Sequence, residues 1–354
     1  MTRNPSPSPG TITLIGSGEM SPSMGKAHRA VLSRIAEPVQ AVFLDTPAGF
    51  ELNADQISAK ATQYFLQHLN LDLAIASFKA STAATPDQTN NALRKLWRAN
   101  YIFAGPGSPT YTIRNWRDTT ILAAMAQRLA GGAHLVFASA AAIAIGRYAL
   151  PVYEIYKVGT APHWNDGLDL PGPYGLELAI IPHWNNNSGR THDTRYCFMG
   201  KPRMEFLEKR LPDSTTILGI DEYTACTMDL GDGECRVIGT GQVTIRQKGR
   251  DDRCHPAGNS FALNELRAGR PLEKSATTHE PTTSECLAPW IDWPDTPGND
   301  DAESVAPFID LLVQTRSRLR AGEQWALADE IRQQLAELGI TLKDSPTETV
   351  WKRA

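Results

Sequence analysis

Short, mostly apolar runs alternate with amphipathic stretches from Thr11 to about Gly249. Thr11–Ile15, 40–44, 72–77 and Tyr101–Ala104 have the length and content of buried strands. Between them, apolar residues recur at helical spacing over 26–35, 54–69, 88–98 and 119–130. A further strongly apolar run (Ala133, Leu135, Val136, Phe137) leads into Ser139, and an Ala/Ile stretch that favours helix follows it. Residues 176–181 form another strand-like run, just before His183. Strand and helix in regular alternation predict an α/β fold: a mostly parallel sheet flanked by helices, binding ligands at the carboxyl ends of its strands. Ser17, Asp45, Gly107, Ser139 and His183 all fall at such ends.

The pattern changes twice. From 217 to 247 it becomes strand and turn, which predicts a β-meander closing the domain. From 248 to 301 the chain is rich in Pro, Thr, Asp and Gly with little periodicity, as in a linker. Beyond Glu303, apolar positions at Phe308, Leu311, Leu312 and Leu319, then at Trp325, Leu327, Ala328, Ile331, Leu335 and Leu338, describe two amphipathic helices, with Gly339 placed to end the second. The expected organisation is a disordered tail over 1–10, an α/β domain over 11–249, a linker over 250–302 and a small helical unit over 303–354.

Composition narrows the partners. With 41% hydrophobic and 21% charged residues and a net charge of −4, the chain lacks the basic surface of a nucleic-acid or membrane binder. No apolar run reaches the roughly 18 residues of a membrane span. The Pro/Ser-rich start has no apolar stretch of the signal-peptide kind. Cys197, Cys226, Cys235, Cys254 and Cys286 are odd in number and include no close pair, which argues against a zinc site and a disulfide framework. A reducing cytoplasm is the expected location. Neither a metal nor a cofactor is expected.

The candidate chemistry lies in Ser139 and His183. A serine hydroxyl is a poor nucleophile until a base takes its proton. A serine and a histidine, each delivered to a strand end, therefore read as hydrolase machinery.

Four segments, in order, resemble the aspartyl dipeptidase (peptidase E) and cyanophycinase family, serine peptidases on a class I glutamine-amidotransferase-like, flavodoxin-like α/β fold. They are Phe103-Ala104-Gly105-Pro106-Gly107-Ser108, Ser139-Ala140-Ala141-Ala142, Pro182-His183-Trp184-Asn185-Asn186 with Asp193-Thr194-Arg195, and Gly219-Ile220-Asp221-Glu222-Tyr223-Thr224-Ala225 with the strand Val237 to Val243. The resemblance implies Ser139 as nucleophile and His183 as base and then acid. Backbone N–H groups of Ala140 and of Gly107 or Ser108 would hold the oxyanion. Glu154, fifteen residues after Ser139, stands at the dipeptidases' acid position, with Asp221 and Glu222 as alternatives. Arg195, Asn185 and Asn186 would contact substrate, Arg195 by pairing with a carboxylate. Phe137 and Ala141 hold places where the family motif has glycine. Glutamine-amidotransferase chemistry proper needs a cysteine at position 139.

The end of the chain is similar to the C-terminal tail of cysteinyl-tRNA synthetase. The likeness runs through Trp325-Ala326-Leu327-Ala328-Asp329-Glu330-Ile331-Arg332, Gly339-Ile340 and Thr349-Val350-Trp351. Residues 303–354 carry seven Lys/Arg against eight Asp/Glu, which disfavours a phosphate-binding face. The expected activity is serine-type hydrolysis, as by a peptidase or isopeptidase-like enzyme, of an amide bond in a small substrate, Asp-containing ones included. The alternative is a catalytically silent ligand- or tRNA-binding protein tied to translation through its tail. Expected partners are thus a small peptide or amide, a tRNA or protein at 303–354, and a second copy of the chain in a homodimer; a membrane is not among them.

Overall fold

The computed structural model describes residues 8–268, 313, 316, 320, 325–337, 340–344 and 349–353. The chain forms two compact units, Met1–Ala276 and Thr277–Ala354. In the first, β1 (Thr11–Ile15), β2 (Ala41–Leu44), β3 (Leu73–Ala76), β4 (Tyr101–Ala104) and β5 (His134–Ala138) pair in parallel in the order β1-β5-β4-β2-β3. Beyond β1 the same sheet continues antiparallel through β10 (Thr224–Asp229), β11 (Glu234–Gly239) and β14 (Ser260–Ala262). This is the expected α/β architecture with a mostly parallel sheet.

The parallel strands are apolar on both sides because helices cover both faces. Val42, Leu44, Ile102, Leu135 and Phe137 pack in one cluster with Trp116, with Leu96 of α3 (Pro86–Arg98) and with Met125 and Leu129 of α5 (Thr120–Ala130). Their neighbours Phe43, Tyr101, Phe103 and Val136 pack in another, with Val31 of α1 (Gly25–Leu32) and Tyr64 of α2 (Ala54–Tyr64). Each such side chain contributes about 1.5–3 kcal/mol on burial. Helix α3 begins where the sequence supplies a capping box: the Gln88 amide donates to Thr85 Oγ1 (3.2 Å) and the Thr85 amide to Gln88 Oε1 (2.9 Å).

A second sheet is built around β8 (Leu178–Ile181) and β9 (Thr216–Ile220), which run parallel. Strand β12 (Gln242–Gln247) pairs antiparallel with β9, and β13 (Arg253–Pro256) with β12. The expected meander over 217–247 is therefore replaced by a different connection. Strands β9 and β12 belong to one sheet, β10 and β11 to the other, and the chain crosses between them at Asp221–Tyr223.

The linker expected from residue 250 is also corrected. The chain still forms β13 and β14, and Leu263 and Leu266 are buried in the core. Strand β13 lies at a sheet edge with half-exposed polar side chains, so it leaves no apolar signature. Residues 269–302 lie outside the described residues. So do residues 1–7 of the expected tail, whereas the Gly10 amide already donates to the Leu129 carbonyl (2.8 Å).

In the second unit, α9 (Trp325–Glu337) precedes a hairpin of β15 (Ile340–Asp344) and β16 (Thr349–Arg353). Leu335, Ile340, Leu342 and Val313 cluster there. The hairpin adds to the helical unit expected. Most of the helix expected around 308–319 lies outside the described residues. No described helix is long and apolar enough to cross a membrane.

Candidate active site

Strand β5 ends at Ala138 and helix α6 (Ala140–Ala144) begins one residue later, so Ser139 alone makes the turn. Its backbone sits at φ 50°, ψ −112°. A non-glycine residue there is strained by about 1–3 kcal/mol, and such a turn lifts a serine hydroxyl clear of the sheet. The Ser139 amide holds the turn to β1 by donating to the Ile15 carbonyl (3.0 Å). Phe137 does not crowd the turn: it is fully buried, edge-on to Trp116 with ring centroids 6.3 Å apart. Ala141 is also fully buried, in the same cluster.

His183 follows β8 and also has a positive φ, 51°. The second sheet thus brings it to the serine delivered by the first, and Ser139 Oγ lies 2.9 Å from His183 Nε2. On the other side of the ring, Nδ1 lies 3.0 Å from Glu222 Oε1. A nitrogen facing a carboxylate carries the proton, so Nδ1–H donates to Glu222 and Nε2 accepts from the Ser139 hydroxyl.

Of the three expected acids, Glu222 is the one the structure brings to His183. Glu154 lies on α7 (Val152–Tyr156), outside the cavity, with Oε2 buried and lacking a hydrogen-bond partner. Glu222 reaches the histidine because it stands on the short crossover between the sheets. The His183 hydrogen bond, supported by one from Asn186, holds its carboxyl below the ordinary carboxylate range although partial burial opposes this. The other alternative, Asp221, is a strut. It is buried, accepts from the Gln242 amide (3.0 Å), and burial pushes its carboxyl up.

Asn185 and Asn186, expected to touch substrate, are both hydrogen-bonded to Glu222. Asn186 Nδ2 donates to Glu222 Oε1 (3.0 Å), and Asn185 Oδ1 accepts from the Glu222 amide (2.8 Å). Arg195 is likewise engaged elsewhere: Nε and Nη2 donate to the two carboxylate oxygens of Asp193 (2.9 and 2.8 Å), and it does not line the cavity. Residues two apart in an exposed loop satisfy one another there, a pairing that the motif Asp193-Thr194-Arg195 already contains.

Of the expected oxyanion donors, Ser108 is excluded. Its amide donates to the Pro47 carbonyl (3.0 Å) and its hydroxyl caps α4 (Pro109–Trp116) by accepting from the Tyr111 amide (3.2 Å). Gly107 and Ala140 both line the cavity beside Ser139, and among the described residues neither amide donates to a protein acceptor. Position 107 requires glycine: φ is 150°, and a Cβ would lie 1.8 Å from the Pro47 carbonyl oxygen.

The cavity is about 190 Å³, walled by Ile143, Val152, Tyr153, Tyr156 and Phe198. Cys197 also lines it, but burial pushes its thiol up to about 12, which keeps it protonated beside the serine. Sequence reasoning missed these walls, because α7 is too short to show a period. It also missed Glu19, which follows the Gly16-Ser17-Gly18 turn. Glu19 is buried, and burial raises its carboxyl pKa, opposed by its own amide and by attraction to His183. Its carbonyl accepts from Nε2 of the buried His28 (2.8 Å), whose Nδ1 accepts from the Tyr101 hydroxyl (2.5 Å). Among the described residues, no His/Cys/Asp/Glu group is arranged to hold a metal.

No protein-family model matches the chain. Its fold is similar to the crystal structure of a peptidase from an acI-B1 Actinobacterium: 19% identity, TM-score 0.58, covering 73% of this chain and 98% of that one. A candidate peptidase E from Listeria monocytogenes EGD-e is 14% identical over 68% of this chain and 98% of that one, with a TM-score of 0.42. A short segment is similar to cysteine–tRNA ligases. It is 53% identical over 45 residues to that of Tolumonas auensis, covering 13% of this chain and 10% of that protein. With the Thermococcus gammatolerans ligase the figures are 50% over 52 residues, 15% and 11%. The chain spans about a tenth of the length of these curated relatives.

Proposed function

We propose that this chain is a serine-type amide hydrolase acting on small peptides or amides, Asp-containing ones included. The reading rests on one observation above the rest: Ser139 Oγ, His183 Nε2 and His183 Nδ1 to Glu222 form a continuous relay with steps of 2.9 and 3.0 Å. A fold similar to that of a solved peptidase supports it.

In this reading the Ser139 oxygen attacks the amide carbonyl carbon while its proton passes to His183 Nε2. Glu222 holds the ring in the productive tautomer and stabilises the imidazolium. The oxyanion accepts from the Gly107 and Ala140 amides, donors that typically supply ~10²–10³ in rate each. The C–N bond then breaks, His183 gives its proton to the departing amine, and water attacks the acyl-enzyme by the same route to free Ser139. The positive φ at both residues keeps them poised.

The test is digestion of a mixed short-peptide library, read by mass spectrometry, with wild type and Ser139→Ala. Cleavage by wild type should fall by ~10⁴-fold or more in the variant. Equal cleavage by both proteins, or none by either, removes the proposal. The tail adds no step to this chemistry. Its near balance of charge, seven Lys/Arg against eight Asp/Glu over 303–354, suits a packing or protein-contact role better than RNA binding.

A further inference from the structure

His183 and Glu222 come from different parts of the chain, one just after β8 and the other on the crossover that follows β9. Glu222 is only partly buried, and a glutamate held by a single contact keeps the rotamer freedom to turn toward water. The 3.0 Å between His183 Nδ1 and Glu222 Oε1 therefore needs a second restraint.

Asn186 touches both partners. Its backbone N–H donates to the His183 carbonyl (3.1 Å), and Nδ2 donates to Glu222 Oε1 (3.0 Å), the same oxygen that accepts from the histidine. Asn186 is 4% exposed, and its neighbours decide which way its amide points. The Ser188 backbone N–H can only donate, and it donates to Asn186 Oδ1 (3.2 Å), as does the Ser188 hydroxyl (2.9 Å). The oxygen thus faces Ser188, and the NH2 faces a carboxylate that can only accept. The Asn186 carbonyl in turn accepts from the hydroxyl of the buried Thr194 (3.3 Å). Asn186 does not line the cavity, so it reaches the reaction through Glu222 and not through the substrate.

We infer that Asn186 is a positioning residue of this site: it pins the Glu222 carboxylate against His183, and Ser188 sets the amide that does so. This rests on the hydrolase reading above and extends the relay from Ser139 beyond the acid, into the loop after β8.

The experiment measures rates of Ser139 labelling by a fluorophosphonate, read by intact mass. The proteins are wild type, Asn186→Leu, Glu222→Gln, the double variant and Asn186→Asp. Asn186→Leu should slow labelling by about tenfold to a hundredfold, the range of one hydrogen bond to a charged group. In the Glu222→Gln background the same substitution should change the rate by no more than about twofold, because residues that act as one unit do not add. Asn186→Asp keeps the acceptor that Ser188 uses but puts a second carboxylate beside Glu222. Its deficit should be largest where the new carboxyl is ionised. It should shrink as pH falls, when the protonated carboxyl regains an O–H donor while the depressed Glu222 stays ionised. Equal slowing by Asn186→Leu in both backgrounds, or slowing in neither, overturns the assignment and leaves the hydrolase reading standing. If Asn186→Leu does not fold, a deficit in Asn186→Asp that does not change with pH overturns it as well. Absence of any Ser139 labelling in wild type removes both.

Discussion

Which carboxylate meets His183 is decided at the scale of single residues. Glu154 had the right distance along the chain, yet Glu222 stands at the histidine, because position in sequence says nothing about which strand crossover returns to the site. Glu222→Gln should therefore lower kcat by up to ~10⁴-fold, the cost of holding a catalytic imidazole in the wrong tautomer. Glu154→Gln should leave kcat within a few-fold. Equal losses in steady-state assays of the two variants would contradict the assignment. The His183 hydrogen bond depresses the Glu222 carboxyl, so its folded form binds a proton less readily than the unfolded chain. Its stabilising contribution is present above the ordinary carboxylate range and is lost as pH falls through the depressed folded value. The stability gap between wild type and Glu222→Gln should narrow on acidification in that window, as measured by urea unfolding.

The turn around Ser139 is a property of elements. The apolar run before it and the Ala-rich stretch after it marked a strand-to-helix junction, and β5 and α6 occur there. Phe137 departs from the glycine of the family motif, and its environment explains why this is tolerated: alternate β5 residues face opposite cores, and position 137 points into the cluster with Trp116 and Met125. Phe137→Ala should cost about 3–5 kcal/mol, seen as a lower urea midpoint with an unchanged slope. A loss below about 1 kcal/mol would mean that the side chain is not packed as described. The strands from β1 to β5 were legible because burial on both faces leaves an unbroken apolar run. Strand β13 was not, because an edge strand half in water has no such run, and neither was the placement of β9 and β10 in different sheets, which no local pattern encodes. Asn185, Asn186 and Arg195 were found by motif, but hydrogen-bond partners, not residue type, set what each one does.

At the scale of the whole molecule, two sheets meet so that one supplies Ser139, the other supplies His183, and the crossover between them supplies Glu222. In the same unit His28 is buried, hydrogen-bonded to the Glu19 carbonyl and the Tyr101 hydroxyl, and burial lowers its pKa from 6.5 to about 4. Between those values the unfolded chain takes up a proton that the folded chain refuses, so stability is full above about pH 6.5 and declines as pH falls toward 4. The full effect is on the order of 3 kcal/mol. Urea midpoints taken at neutral pH and near pH 5 should drop less in His28→Gln than in wild type; identical drops would remove His28 as the cause. Of all measurements, the most direct on the central claim is mapping of a fluorophosphonate adduct by peptide mass spectrometry. One adduct on Ser139 in wild type, absent in Ser139→Ala and strongly slowed in His183→Ala, is the result predicted. Labelling elsewhere, or undiminished labelling when either residue is replaced, would contradict the account.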